Sequence, residues 1–168
     1  IEKHIDMSKF ENLNTVKFVE VNKLPIKVTK PHYSLEYIII DNEEMSFDFK
    51  ELSKTALSLP NLRYLSYKGK CIKGIEKYLK NYDVIELICQ NSSDLDFEKI
   101  KNASLLHVTG YDGKKMLYAN SLSLKHPKLG KLNHSKIHCK NMLINIGTGK
   151  EKVDGAFDLR KFKELKSF

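Results

Sequence analysis

The sequence has no tryptophan, and its 168 residues include only three cysteines, four prolines and eight glycines. Cys71, Cys89 and Cys139 are odd in number and widely spaced, unlike the framework of a small disulfide-stapled secreted domain. They read as free thiols, which points to the cytoplasm and leaves secretion open. No stretch approaches the roughly 18 to 20 uninterrupted apolar residues needed to cross a bilayer, and Ile1 to Asp6 has no signal-like apolar core. The chain begins at Ile1 rather than at a methionine, which is compatible with a piece of a longer protein. Acceptor-like triplets at Asn91, Asn102 and Asn133 are what an Asn- and Ser-rich chain produces by chance.

Catalytic and cofactor motifs are also scarce. Ile146-Gly147-Thr148-Gly149-Lys150 has the tail of a phosphate-binding loop, but Ile144 replaces its first glycine and Glu151 the magnesium-binding Ser or Thr. His134, His138 and Cys139 are zinc-ligand types, yet no further carboxylate or cysteine pair completes a set of four. Glu43-Glu44 and Asp94 with Asp96 fit turns and helix starts, and no Gly-x-Ser-x-Gly elbow occurs. The expectation is a protein without catalytic residues, metal or cofactor.

What the sequence does contain is periodicity. Apolar residues at offsets 0, 3 and 5 recur as Leu13, Val16, Phe18; Leu35, Ile38, Ile40; Leu62, Leu65, Tyr67; Tyr82, Ile85, Leu87; and Ala103, Leu106, Val108. Leu129 and Leu132 follow, with His134 in the last apolar place. An alternative fourth set is Val84, Leu87 and Cys89. Over Phe10 to Cys139 this resembles the leucine-rich-repeat family, in which Leu-x-x-Leu-x-Leu opens a short strand in each repeat unit.

The resemblance implies an α/β fold: a right-handed solenoid of about six short, irregular units with a parallel sheet on its concave side. Residues 1–168 then form one domain, with repeats over roughly 10–140 and a capping segment at 141–168. The family's Asn or Cys three places after the last leucine is largely missing, since Val21, Glu43, Lys70, Gln90, Tyr111 and Ile137 stand there. That departure predicts uneven units.

Between the strands, Phe49 to Leu59 carries Phe49, Leu52, Ala56 and Leu59 on one helical stripe, ended by Pro60. Shorter helices are expected at Gly74 to Lys80 and at Asp94 to Asn102. Lys23 to Pro31 reads as an extended connector, and Asp158 to Leu165 as a terminal helix placing Leu159, Phe162 and Leu165 over the last unit.

If the periodic residues point inward, strand alternation turns the residues between them outward. The expected partner-binding set is Tyr37, Ile39, Tyr64, Ser66, Lys68, Glu86, Ile88, His107, Lys131 and Asn133, with Val84 and Leu105 extending its apolar character. Such a strip is rarely left uncovered without a use, and it points to binding another protein.

Charge supplies a second reading. The chain has 29 basic and 21 acidic residues, and the excess lies between Gly113 and Lys150, where there is no acid. Lys114, Lys115, Lys125, Lys128, Lys131, Lys136 and Lys140 form a basic patch in that window, with Lys150 at its end. It would steer an acidic partner or, alternatively, bind nucleic acid or a ribonucleoprotein through phosphates.

Overall fold

A computed structural model describes residues 4–43, 45–70, 73–89, 95–101, 103–146 and 158–168; for Cys89 it describes the backbone alone. The chain is mixed α/β, with a mostly parallel β arrangement and few helices. Its long strands are β2 (Thr15–Val19), β4 (Tyr37–Asp41), β5 (Tyr64–Gly69), β6 (Val84–Cys89), β7 (Leu105–Thr109), β9 (Ser121–Lys125) and β11 (Asn141–Asn145). They form one parallel sheet in which every neighbour is also the next long strand in sequence. Two short parallel pairs lie outside it, β1 (Ile5–Asp6) with β3 (Ile26–Lys27) and β8 (Leu117–Tyr118) with β10 (Ile137–His138).

Alternation explains the burial. Ile38, Ile40, Leu65, Tyr67, Ile85, Leu87, Leu106, Val108, Leu122 and Leu124 all point to one side and are at most 2% exposed. The return segments close over them with Phe47, Phe49, Leu52, Leu79, Leu95, Phe97, Ile100 and Leu117, all buried. Each fully buried side chain of this kind contributes about 1.5–3 kcal/mol relative to exposure. Phe49 meets Phe47 and Tyr67 edge-on, with ring centroids 5.1 and 4.8 Å apart.

The first helix, α1 (Phe49–Ala56), starts where Asp48 accepts from the N–H groups of Lys50 and Glu51, a carboxylate cap that satisfies donors otherwise left open. It is shorter than the expected span to Leu59, and its last residues relax into turns before Pro60. The second, α2 (Glu76–Leu79), buries Leu79, and Ile75 is buried just before it, as the sequence pattern requires. A 3-10 turn at Phe97–Ile100, capped by Asp96, replaces the helix expected from Asp94 to Asn102; Asp94 and Asn102 lie outside the described residues.

The larger difference lies after Thr109. The expected sixth strand around Leu129 and Leu132 is instead a 3-10 turn, Leu129–Lys131, followed by a turn. The sixth and seventh long strands are β9 and β11, so segment 141–168 opens with a sheet strand. The strands begin at positions 15, 37, 64, 84, 105, 121 and 141. The step into β9, from position 105 to position 121, is the shortest of these. Ala119, Leu122 and Leu124, then Cys139, Met142 and Ile144, carry the 0, 3, 5 pattern with small or unusual members.

The expected terminal helix is likewise reduced to a 3-10 turn at Leu159–Lys161. Phe162 is buried, but the chain must then extend, because Ser167 bridges to Asn141 beside β11.

Polar side chains join successive units. Asn42 is fully buried; its Oδ1 accepts from the Val21 N–H at 3.0 Å and its Nδ2 donates to the Val21 carbonyl. Its backbone N–H donates forward to the Lys68 carbonyl at 2.7 Å. Buried Glu76 accepts from the Asp96 N–H, and Ser104 Oγ donates to the Asp83 carbonyl at 3.1 Å. Asn42 thus bridges the segments at Val21 and Lys68 from one position before Glu43, the place where an Asn or Cys is expected.

Candidate interaction face

The side of the sheet turned away from the core is lined by the residues between the buried ones. Its most ordered feature is an aromatic pair: Tyr37 and Tyr64 are Cα partners across β4 and β5, with rings stacked at 4.0 Å and 5°. Tyr37 is 37% exposed and Tyr64 half-buried. The Arg63 guanidinium lies 5.7 Å from the Tyr64 ring centroid and bonds Asp83 at 2.9 Å. Desolvation, and then the neighbouring Tyr64, hold the Tyr37 hydroxyl above its ordinary pKa.

Around this pair the described strands place Ile39, Ser66, Lys68, Val84, Glu86, Ile88, Leu105 and His107 on the same side, all half-buried. Ser66 Oγ donates to Glu86 Oε2 at 2.9 Å. Farther along the strands, Lys17 meets Asp41 at 2.9 Å, and Lys68 contacts both Asp41 and Glu43. The bonded Lys17 ammonium holds the Asp41 carboxyl below its usual range. Two cations and two anions cancel there, and exposed pairs of this kind contribute at most about 1 kcal/mol each.

His107 is the face's titratable centre, with Ile88 and Ser123 as its Cα partners on the flanking strands. Burial pushes its pKa below the ordinary value, Lys125 adds to the fall, and Glu86 opposes it. The folded chain therefore binds fewer protons at this site than the unfolded chain as pH drops below about 6.5. The His107 contribution to stability is complete above that pH and is lost as pH falls toward the lower folded value. Denaturation at pH 7 and pH 5 should show a smaller loss of stability for His107→Gln than for the parent; equal losses would remove the assignment.

Lys131 and Asn133 do not join this face. Lys131 ends the 3-10 turn, and Asn133 Oδ1 accepts from the N–H and hydroxyl of Ser135 at 2.9 and 2.8 Å. Pattern reading misplaced them because the shortened step into β9 puts Ser121 and Ser123 where they were expected. Leu143, 63% exposed on β11, is an outward residue the sequence reading missed.

The basic window divides among several places. Lys115 Nζ donates to the Leu95 carbonyl at 2.6 Å and Lys136 Nζ to the Lys114 carbonyl at 2.8 Å, so both tie one unit to another. Lys114 pairs with Asp112 at 3.4 Å. Lys125 ends β9 on the sheet, Lys140 precedes β11, Lys128 caps the start of the intervening 3-10 turn and Lys131 ends it; all four are exposed.

His138 stacks on Tyr118 at 4.8 Å and bonds Glu164 at 3.3 Å, while the Cys139 thiol is buried and pushed up to about 11 by desolvation first. Among the described residues no group of three or more His, Cys, Asp or Glu is placed to hold a metal. The glycine-rich 147–150 segment, Cys71 and Asn91 lie outside the described residues. No described helix is long and apolar enough to cross a membrane.

Comparison of the chain with family models, curated proteins and solved structures finds no match.

Proposed function

We propose that the chain is an irregular leucine-rich-repeat-like solenoid, wound right-handed, that serves as a non-enzymatic protein-interaction module. The sequential parallel strands and recurring inward triplets support the architecture. The observation that carries the function is the stacked Tyr37–Tyr64 pair, standing partly exposed beside Ile39, Val84, Ile88 and Leu105. Rigid aromatic anchors surrounded by half-buried apolar groups are the usual energetic centre of a protein interface. The occupant is a protein with an acidic segment, which the exposed lysines near the C-terminal end of the sheet attract over distance. The divided placement of the lysines gives the nucleic-acid reading no comparable focus.

The test is recovery of a partner from source-cell lysate by the parent chain and by a Tyr37→Ala/Tyr64→Ala variant, with and without nuclease and at two salt concentrations. Affinity for the recovered protein is then measured with purified components. The double variant should remain folded and lose about 2 kcal/mol of binding, roughly thirtyfold in affinity. Undiminished affinity, or recovery abolished by nuclease, would overturn the proposal.

A further inference from the structure

The C-terminal tail folds back against the turn that follows β9, and between them lies a cleft of about 330 Å³. One wall is the segment 130–134; the other is made by Asp158, Lys161 and Phe162. The cleft is remote in role from the tyrosine face, since neither Lys131 nor Asn133 lies on a sheet strand.

Three features give it a chemical preference. Two lysines from separate segments, Lys131 and Lys161, border it, and both are exposed. Its acid is already matched: Arg160 Nε and a terminal guanidinium nitrogen bond the two Asp158 oxygens at 2.9 and 2.8 Å. The Arg160 bonds first, and Lys161 more weakly, hold the Asp158 carboxyl below its usual range, so Arg160, Lys131 and Lys161 together leave cations in excess over the single acid of the cleft wall. Asn133 commits its carboxamide oxygen to Ser135, so what it offers a ligand is its N–H donors.

We propose that this cleft is a binding site for a phosphoryl dianion, held between the Lys131 and Lys161 ammonium groups. Its size admits a phosphomonoester together with part of the molecule that carries it. Two point charges with rotatable donors suit a tetrahedral anion approached from opposite walls. The surrounding sequence strengthens the field on the first wall, because no acid occurs between Gly113 and Lys150.

The site is tested by titrating the intact chain with inorganic phosphate and, separately, with O-phosphoserine, against chloride at matched ionic strength. Amide resonances are followed in 130–134 and 158–162. Saturable shifts there are expected with phosphate or O-phosphoserine and not with chloride. Tighter binding of O-phosphoserine would mark a carried phosphoryl group as the ligand, and equal or tighter binding of phosphate the free anion.

Lys131→Gln and Lys161→Gln should each weaken binding about fivefold, as expected for one partly exposed charge contact. Lys140→Gln, on a residue outside the cleft wall, should leave it unchanged. The proposal is overturned if neither phosphate nor O-phosphoserine differs from chloride, or if the three lysine variants lose affinity equally.

Discussion

Asn42→Ala should lower the unfolding free energy by about 2–4 kcal/mol, although the substitution removes little more than a carboxamide. It strips both side-chain partners from the Val21 peptide groups inside a packed junction, and a buried polar group left without a partner carries its full desolvation penalty. Asn42→Asp should not rescue it at neutral pH. Aspartate retains an acceptor for the Val21 N–H but turns a second oxygen toward the Val21 carbonyl, and it adds a charge in a fully buried place. Urea denaturation followed by circular dichroism would measure the effect. A loss below about 0.5 kcal/mol would mean that water or a local shift replaces the Asn42 bonds.

Gly113→Ala is expected to be comparably damaging for a different reason. Gly113 has φ near +79°, and an added Cβ would lie 2.0 Å from the Lys131 carbonyl oxygen. Gly110 supplies the control: its φ is +68°, but a Cβ there would meet nothing within 4 Å. Gly110→Ala should therefore cost about 1–2 kcal/mol, the penalty of left-handed backbone alone. Gly113→Ala should exceed it by about a further 1–2 kcal/mol, because two stacked loops must separate. Thermal melts of the two variants side by side decide the matter; equal losses would show that the loops yield freely.

The parts of the fold that were legible in the sequence are those where large apolar residues fill all three periodic places. Leu35, Ile38 and Ile40, and Leu62, Leu65 and Tyr67, announce β4 and β5 directly, and strand parity then turns Tyr37, Ile39, Tyr64, Ser66 and Lys68 outward. The same parity places Glu86, Ile88 and His107 correctly, because the structure adopts the Tyr82, Ile85, Leu87 set rather than the Val84 alternative.

Legibility fails at Ala119 and Cys139, where a small or polarisable residue opens the unit and the step into β9 contracts. Patterns anchored on leucine then move to Leu129, which is buried by a return turn rather than by the sheet. Lys131 and Asn133 were carried along with that error. The Lys115 and Lys136 staples and the Asn42 bridge were invisible for another reason. Each depends on which residue of a neighbouring unit stands opposite, and one irregular step alters all later pairings.

The order of the strands also has a kinetic consequence. Each long strand pairs with the long strand immediately before it in sequence, so no pairing in the main sheet must wait for a distant part of the chain. Closing such a short loop adds little entropy cost from one unit to the next, and rates follow the sequence separation of contacts more than chain length. A chain emerging from the ribosome can therefore add each strand to the previous one as it appears, and synthesis can proceed in the same direction as assembly.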